Sequence, residues 1–231
     1  MATESFIYEN RYWIGGGIAL AIIGVTTYIN RKKVIKGVKI SVKAMTDFVN
    51  NLTNTALSEY NFWQNGSIKE GDPRTMERLR MYWREGAGVK NWTDTQMKSE
   101  AWSAAFISYI MKKSGAGRDW KYSPSHSTYI VDSIKNRKEN NANPFKGYKP
   151  EEVKLEVGDL VGKARQGGVT YDTKGAYKSH TDVVVKIKDG YADTIGGNVG
   201  DTVKVTKVPL TPDGKVDLKR SDYFVVIKNK K

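Results

Sequence analysis

Ser179-His180-Thr181-Asp182-Val183-Val184-Val185-Lys186-Ile187-Lys188-Asp189-Gly190-Tyr191-Ala192-Asp193-Thr194-Ile195 is the stretch that decides the fold. Two runs rich in β-branched residues flank Asp189-Gly190. That dipeptide suits a two-residue hairpin turn, where both positions take positive φ. The segment predicts antiparallel strands over 181–187 and 191–195. Further strands are predicted over 159–164, 202–208 and 223–227, with Asp213-Gly214 as a turn before the last. Alternation places His180, Asp182 and Val184 on one face. Folding about the turn sets Gly196-Gly197-Asn198 opposite His180, so Asn198 or Asp182 can hold its imidazole in one tautomer.

Before Pro150 the periodicity is helical. Helices are predicted over 34–52, 54–64, 73–85, 94–113 and 123–136. Asp72, then Thr93 or Asp94, then Ser123 serve as N-caps. Trp102, Ala105, Phe106, Tyr109 and Ile110 form an apolar stripe on the fourth helix. Residues 137–149 are polar and read as a loop. Helices followed by antiparallel strands make an α+β pattern, with helices packed on an antiparallel sheet.

The 231 residues include 13 Tyr, 6 Trp and 6 Phe, which exclude a disordered tail. Lys and Arg number 38 against 25 Asp and Glu, a net charge of +13. Such a charge points to an anionic neighbour: nucleic acid, anionic lipid or an acidic wall polymer. There is no cysteine, so disulfides, thiolate zinc sites and a Cys nucleophile are excluded. His126 and His180 are the only histidines. No helix-turn-helix, Gly-rich phosphate loop or zinc pattern supports sequence-specific nucleic-acid reading.

Residues 12–30 carry no charge. Nineteen residues at ~1.5 Å each span about 28 Å, close to the thickness of a bilayer core. Tyr12, Trp13 and Tyr28 mark the ends as interfacial aromatics do. A single membrane anchor is expected over 1–32, then a basic amphipathic linker helix over 33–54 and a globular domain over 55–231. Arg31, Lys32, Lys33, Lys36, Lys39 and Lys43 follow the span, which orients the C-terminal part to the cytoplasmic side.

The segment Trp102-Ser103-Ala104-Ala105-Phe106-Ile107-Ser108-Tyr109, then Ser114-Gly115, resembles the nucleophile helix of the CHAP and NlpC-type cell-wall amidases and peptidases. Gly158-Asp159-Leu160, His180 and Ile195-Gly196-Gly197-Asn198-Val199 continue in that superfamily's order. The chain looks like a branch with Ser in place of the nucleophilic Cys, a Ser-x-x-His-x-x-Tyr segment ending at His126 and Tyr129, and His180-x-Asp182. The resemblance covers roughly residues 55 to 228. It implies a papain-like, NlpC-type fold after the anchor. It also implies Ser103 as nucleophile, His180 as base, and Asn198 or Asp182 as its orienting group. His126 would contact substrate or act as a second imidazole, with Trp102 and Glu100 also at the substrate. The Ser–His reading needs no cofactor and no metal, although His126, His180 and Asp182 could hold zinc.

The function expected is a membrane-anchored hydrolase of peptidoglycan amide bonds, possible in a bacteriophage virion with an internal membrane or at a bacterial inner membrane. The alternative is a catalytically inactive structural or binding protein of such a membrane, with capsid or membrane proteins as partners.

Overall fold

The computed structural model describes residues 36–231, with side chains from Asp47 onward. The expected span at 12–30 lies outside the described residues. No helix among the described residues is long and apolar enough to cross a membrane. Residues 44–231 form one compact unit.

Helix α1 covers Lys36–Phe62. Phe48, Leu52, Ala56 and Glu59 are buried along it at spacings of three or four, and Trp63 continues the stripe. One stripe thus crosses the break expected near residue 53, so the two helices expected over 34–52 and 54–64 are one. Helix α2, Met76–Met81, follows a 3-10 turn at Pro73–Thr75 and ends in a π turn at Tyr82–Gly86. Asp72 caps the 3-10 turn by accepting from the Arg74 backbone N–H at 2.9 Å.

The helix expected over 94–113 is broken in two. Helix α3, Asp94–Ser99, starts with a Thr93–Gln96 capping box, and the chain extends at Glu100. Helix α4 then covers Ser103–Lys113. The break serves Trp102. Its ring stacks on Trp63 at 4.9 Å and on Tyr82 at 5.6 Å. Its indole N–H donates to Glu70 Oε2 at 2.5 Å. Every residue of α4 from Ser103 to Met111 is buried, so the apolar stripe read from the sequence understates an enclosed helix. Gly86 admits this enclosure: a Cβ there would lie 2.6 Å from the Ala105 carbonyl oxygen. Helix α5, His126–Lys138, starts two residues after Pro124. Ser123 does not cap it directly; its hydroxyl accepts from the Ser125 N–H in the preceding turn.

Six strands form one antiparallel sheet in the order β1-β6-β2-β3-β4-β5. They are β1 Phe145–Tyr148, β2 Leu160–Ala164, β3 Ser179–Lys188, β4 Tyr191–Gly196, β5 Lys204–Pro209 and β6 Tyr223–Asn229. Strand β1 falls in the segment read as a loop. Only four residues long, it is an edge strand specified by its pairing to β6 rather than by its own pattern. Asp189 (φ 54°) and Gly190 (φ 76°) turn the β3–β4 hairpin as expected. One face of the sheet, with Leu160, Val183, Ile195, Val225 and Ile227, shares a core with the helices. The other, with Val161, Val184, Ala192, Val208 and Val226, packs under Leu155, Leu210 and Val216.

Asp159 fixes β6 to the start of β2. Its carboxylate accepts from Lys228 Nζ at 2.6 Å, the Asn229 N–H at 3.0 Å and the Glu156 N–H at 2.8 Å. Burial pushes its carboxyl up to about 6, against the opposing pull of Lys228. Removing one partner of such a buried pair leaves the other uncompensated. Asp159→Ala should cost about 3 kcal/mol, read as a lower urea midpoint with an unchanged m-value. A loss below about 0.5 kcal/mol would show that the contact is dispensable.

Candidate active site

Ser103 is the first residue of α4, and among the described residues no side chain caps that helix end. The N–H groups of its first turn are therefore free of side-chain acceptors and present the positive end of the helix. Ser103 Oγ and His126 Nε2 are hydrogen-bonded at 2.7 Å. His126 stands at the first position of α5. Its Nδ1 contacts Thr181 Oγ1 at 2.9 Å and the Tyr129 hydroxyl, and these two hydroxyls lie 3.1 Å apart. Ser103, His126, Tyr129 and Thr181 are all buried. Two helices and one strand thus converge on a single imidazole.

His180 stands beside this group. Its ring centroid lies 5.2 Å from that of His126. Its Nε2 pairs with Asp182 Oδ1 at 2.7 Å, as residues two apart on one strand face allow. The orienting group of His180 is Asp182. Asn198 is half-buried, in a left-handed conformation (φ 55°), within the turn after β4.

Two consecutive glycines make room for these groups. A Cβ at Gly196 would fall 1.7 Å from Asp182 Oδ1 and 3.0 Å from His180 Nε2. A Cβ at Gly197 would fall 2.6 Å from Phe106 Cβ and 2.8 Å from the Trp102 ring. Gly196 therefore accommodates the His180–Asp182 pair, and Gly197 accommodates the start of α4. Both distances are far inside van der Waals contact, so a methyl group at either position displaces its neighbours.

The expected partner of Ser103 was His180; the hydrogen bond goes instead to His126. The reason lies in the entry of α5. The turn through Ser123, tied to Ser108 on α4 at 2.9 Å, lays His126 against the start of α4. Trp102 is fully buried in its aromatic stack and offers no surface to a substrate. Glu100 is exposed at the end of α3 and does not join the group. Tyr129 was legible only as part of a segment, since three residues along a helix place it on the face of His126. Thr181 carried no signal: alternation along β3 sets it on the face opposite to His180. Among the described residues, no three His, Asp or Glu side chains form a group that could hold a metal.

Burial, then the neighbouring His180 and Arg165, hold His126 well below the usual imidazole range. Burial also raises the Tyr129 hydroxyl, which stays protonated. A neutral His126 can receive the Ser103 proton at Nε2 while Nδ1–H donates to Thr181 Oγ1.

Two predictions follow from this geometry. The folded chain binds no proton at His126 where the unfolded chain does, so the stability His126 allows is full above about pH 6.5 and falls as the pH drops toward its folded value. The urea midpoint should drop less between pH 7 and pH 5 in His126→Gln than in the unsubstituted chain. Equal drops would refute a neutral buried imidazole. Separately, Gly196→Ala should destabilise by about 2 kcal/mol through overpacking. It should also shift the His180 ring resonances in an NMR spectrum, and unmoved resonances would contradict the packing described.

A family model described as an uncharacterized protein conserved in bacteria (DUF2272) matches residues 62–228. No curated protein and no solved structure matches the chain.

Proposed function

We propose that this chain, which belongs to the bacterial family DUF2272, is a serine hydrolase that cleaves amide bonds of peptidoglycan. The observation that carries the reading is the 2.7 Å contact between Ser103 Oγ and His126 Nε2 at an uncapped helix start. Ser103 attacks the carbonyl carbon as His126 Nε2 takes the hydroxyl proton. Backbone N–H groups of the first turn of α4 stabilise the oxyanion. His126 then gives the proton to the leaving amine. A water molecule, activated by the same imidazole, releases the acyl group from Ser103.

The transient imidazolium needs a counter-charge, and among the described residues no carboxylate touches His126. Asp182 supplies it from behind His180; its charge also reaches Tyr129. In this mechanism His126 is the base, and the Asp182 carboxylate, which also balances His180, is the electrostatic support. The substrate and the papain-like, NlpC-type ancestry rest on the resemblance of the Trp102–Tyr109, Gly158–Leu160, His180 and Ile195–Val199 segments. The +13 charge agrees with an anionic wall polymer. The apolar run over 12–30 supports attachment to a bacterial inner membrane or to the internal membrane of a virion.

A second reading is favoured by one observation. Ser103 is only 7% exposed, as a structural hydroxyl would be. In that reading the domain is an inactive binding or structural protein of a membrane, and the buried network only rigidifies it.

A fluorophosphonate probe separates the two. It should label the chain on Ser103, and labelling should be abolished in Ser103→Ala and fall about a hundredfold or more in His126→Ala. Lysis of purified cell walls in a gel should follow the same order. Absence of labelling in a chain shown by circular dichroism to be folded would leave the structural reading.

A further inference from the structure

The turn between β4 and β5 leans on the start of α4 through Gly197, whose missing side chain admits Phe106 and Trp102. Its residues Asn198, Gly200 and Asp201 all have positive φ, at 55°, 64° and 64°. The segment Lys69-Glu70 crosses this turn. The Glu70 N–H donates to the Asp201 carbonyl at 2.8 Å, and Lys69 Nζ donates to the Gly200 carbonyl. Glu70 Oε2 in turn accepts from Trp102, the residue before Ser103.

Lys204 reaches the same turn from β5. Its stem lies over Gly66, where a Cβ would fall 3.0 Å from Lys204 Cγ. A Cβ at Gly200 would have Lys69 Nζ at 3.9 Å and Lys204 Nζ at 4.0 Å. Two ammonium groups from distant parts of the sequence therefore close over one exposed turn. Neither is in an ion pair among the described residues. Glu70, the adjacent acid, is committed to Trp102; Asp201 is the other acid of the turn.

Two like charges held near one turn repel each other and favour an anion between them, and the stems are held there by packing for Lys204 and by a backbone carbonyl for Lys69. We propose that Lys69 and Lys204 clamp a carboxylate of the substrate beside the Ser103 site. This rests on the hydrolase reading, and it names the feature of the substrate that is recognised: a free carboxyl group on a wall peptide, near the bond cleaved. The positive end of α4 favours the same sign of charge. Lysines suit this role as mobile point charges at a wet rim, where a carboxylate needs charge more than fixed geometry.

The test uses the full chain and soluble disaccharide-peptide fragments of peptidoglycan, with their carboxyl groups either free or amidated. Isothermal titration should show the free form binding about fivefold or more tighter than the amidated form, as two rim charges allow. The preference should weaken as salt is raised. It should vanish in Lys69→Gln/Lys204→Gln and persist in Lys69→Arg/Lys204→Arg, which keeps the charge. Equal binding of the two forms, binding of neither, or a preference that survives in the Gln variant would overturn the clamp. Fluorophosphonate labelling of the unsubstituted chain is read separately. Intact labelling with no carboxylate preference sinks the clamp alone, whereas failed labelling sinks the hydrolase reading.

Discussion

The absence of two side chains at Gly196-Gly197 is the constraint on which the site depends. Successive strand residues face opposite sides of a sheet. One glycine therefore opens space for the Asp182 carboxylate, and the next for the start of α4. Buried polar groups and a packed helix both require a dense surround, and neither tolerates a displaced methyl group. The pair thus holds Ser103, through Trp102 and Phe106, at a fixed height above the strand that carries Thr181, His180 and Asp182. The Trp63–Trp102–Tyr82 stack fixes the same segment from the other side.

The electrostatics of this arrangement differ from those of a thiol site. A Ser hydroxyl is never appreciably ionised, so its activation depends on a base that is neutral and already in contact. Burial keeps His126 neutral, and the contact is present without a ligand. The same burial makes the protonated imidazole costly, and the hydroxyls at Nδ1 orient it without adding charge. The neighbouring His180 adds to that cost, and in the proposed mechanism the Asp182 carboxylate behind it offsets part of it.

Much of the sheet was legible in the sequence, because alternation and the Asp189-Gly190 turn are local signals. The hairpin and β2 through β6 lie within a few residues of their expected bounds. Strand β1 was not legible, since four residues carry too little pattern and pairing with β6 decides their conformation. The break before Ser103 was also hidden: residues 94–113 are good helix material, and the interruption comes from a tertiary demand on Trp102. The site was half legible. Ser103, His126, His180 and Asp182 do gather, yet the partner of Ser103 depends on how the turn at Ser123 docks on Ser108. No spacing in the sequence encodes that contact. Trp102 and Glu100 precede Ser103 in sequence but face the core and the solvent, because Trp102 is drawn into the stack with Trp63 and Tyr82.

Strand β6 lies in the interior of the sheet, between β1 and β2, although it is the last of the six strands in sequence. While the polypeptide emerges from the ribosome, β1 has no neighbour and β2 only β3 until residues 223–229 appear. The carboxylate of Asp159 waits equally long for Lys228. The helical layer, with its local contacts, can assemble first, but its apolar underside stays uncovered near β1 until β6 is added. Closure of the sheet therefore waits for the last of its six strands. A nascent chain stalled before residue 223 would expose two strand edges at once, the condition under which chains pair with one another rather than with themselves.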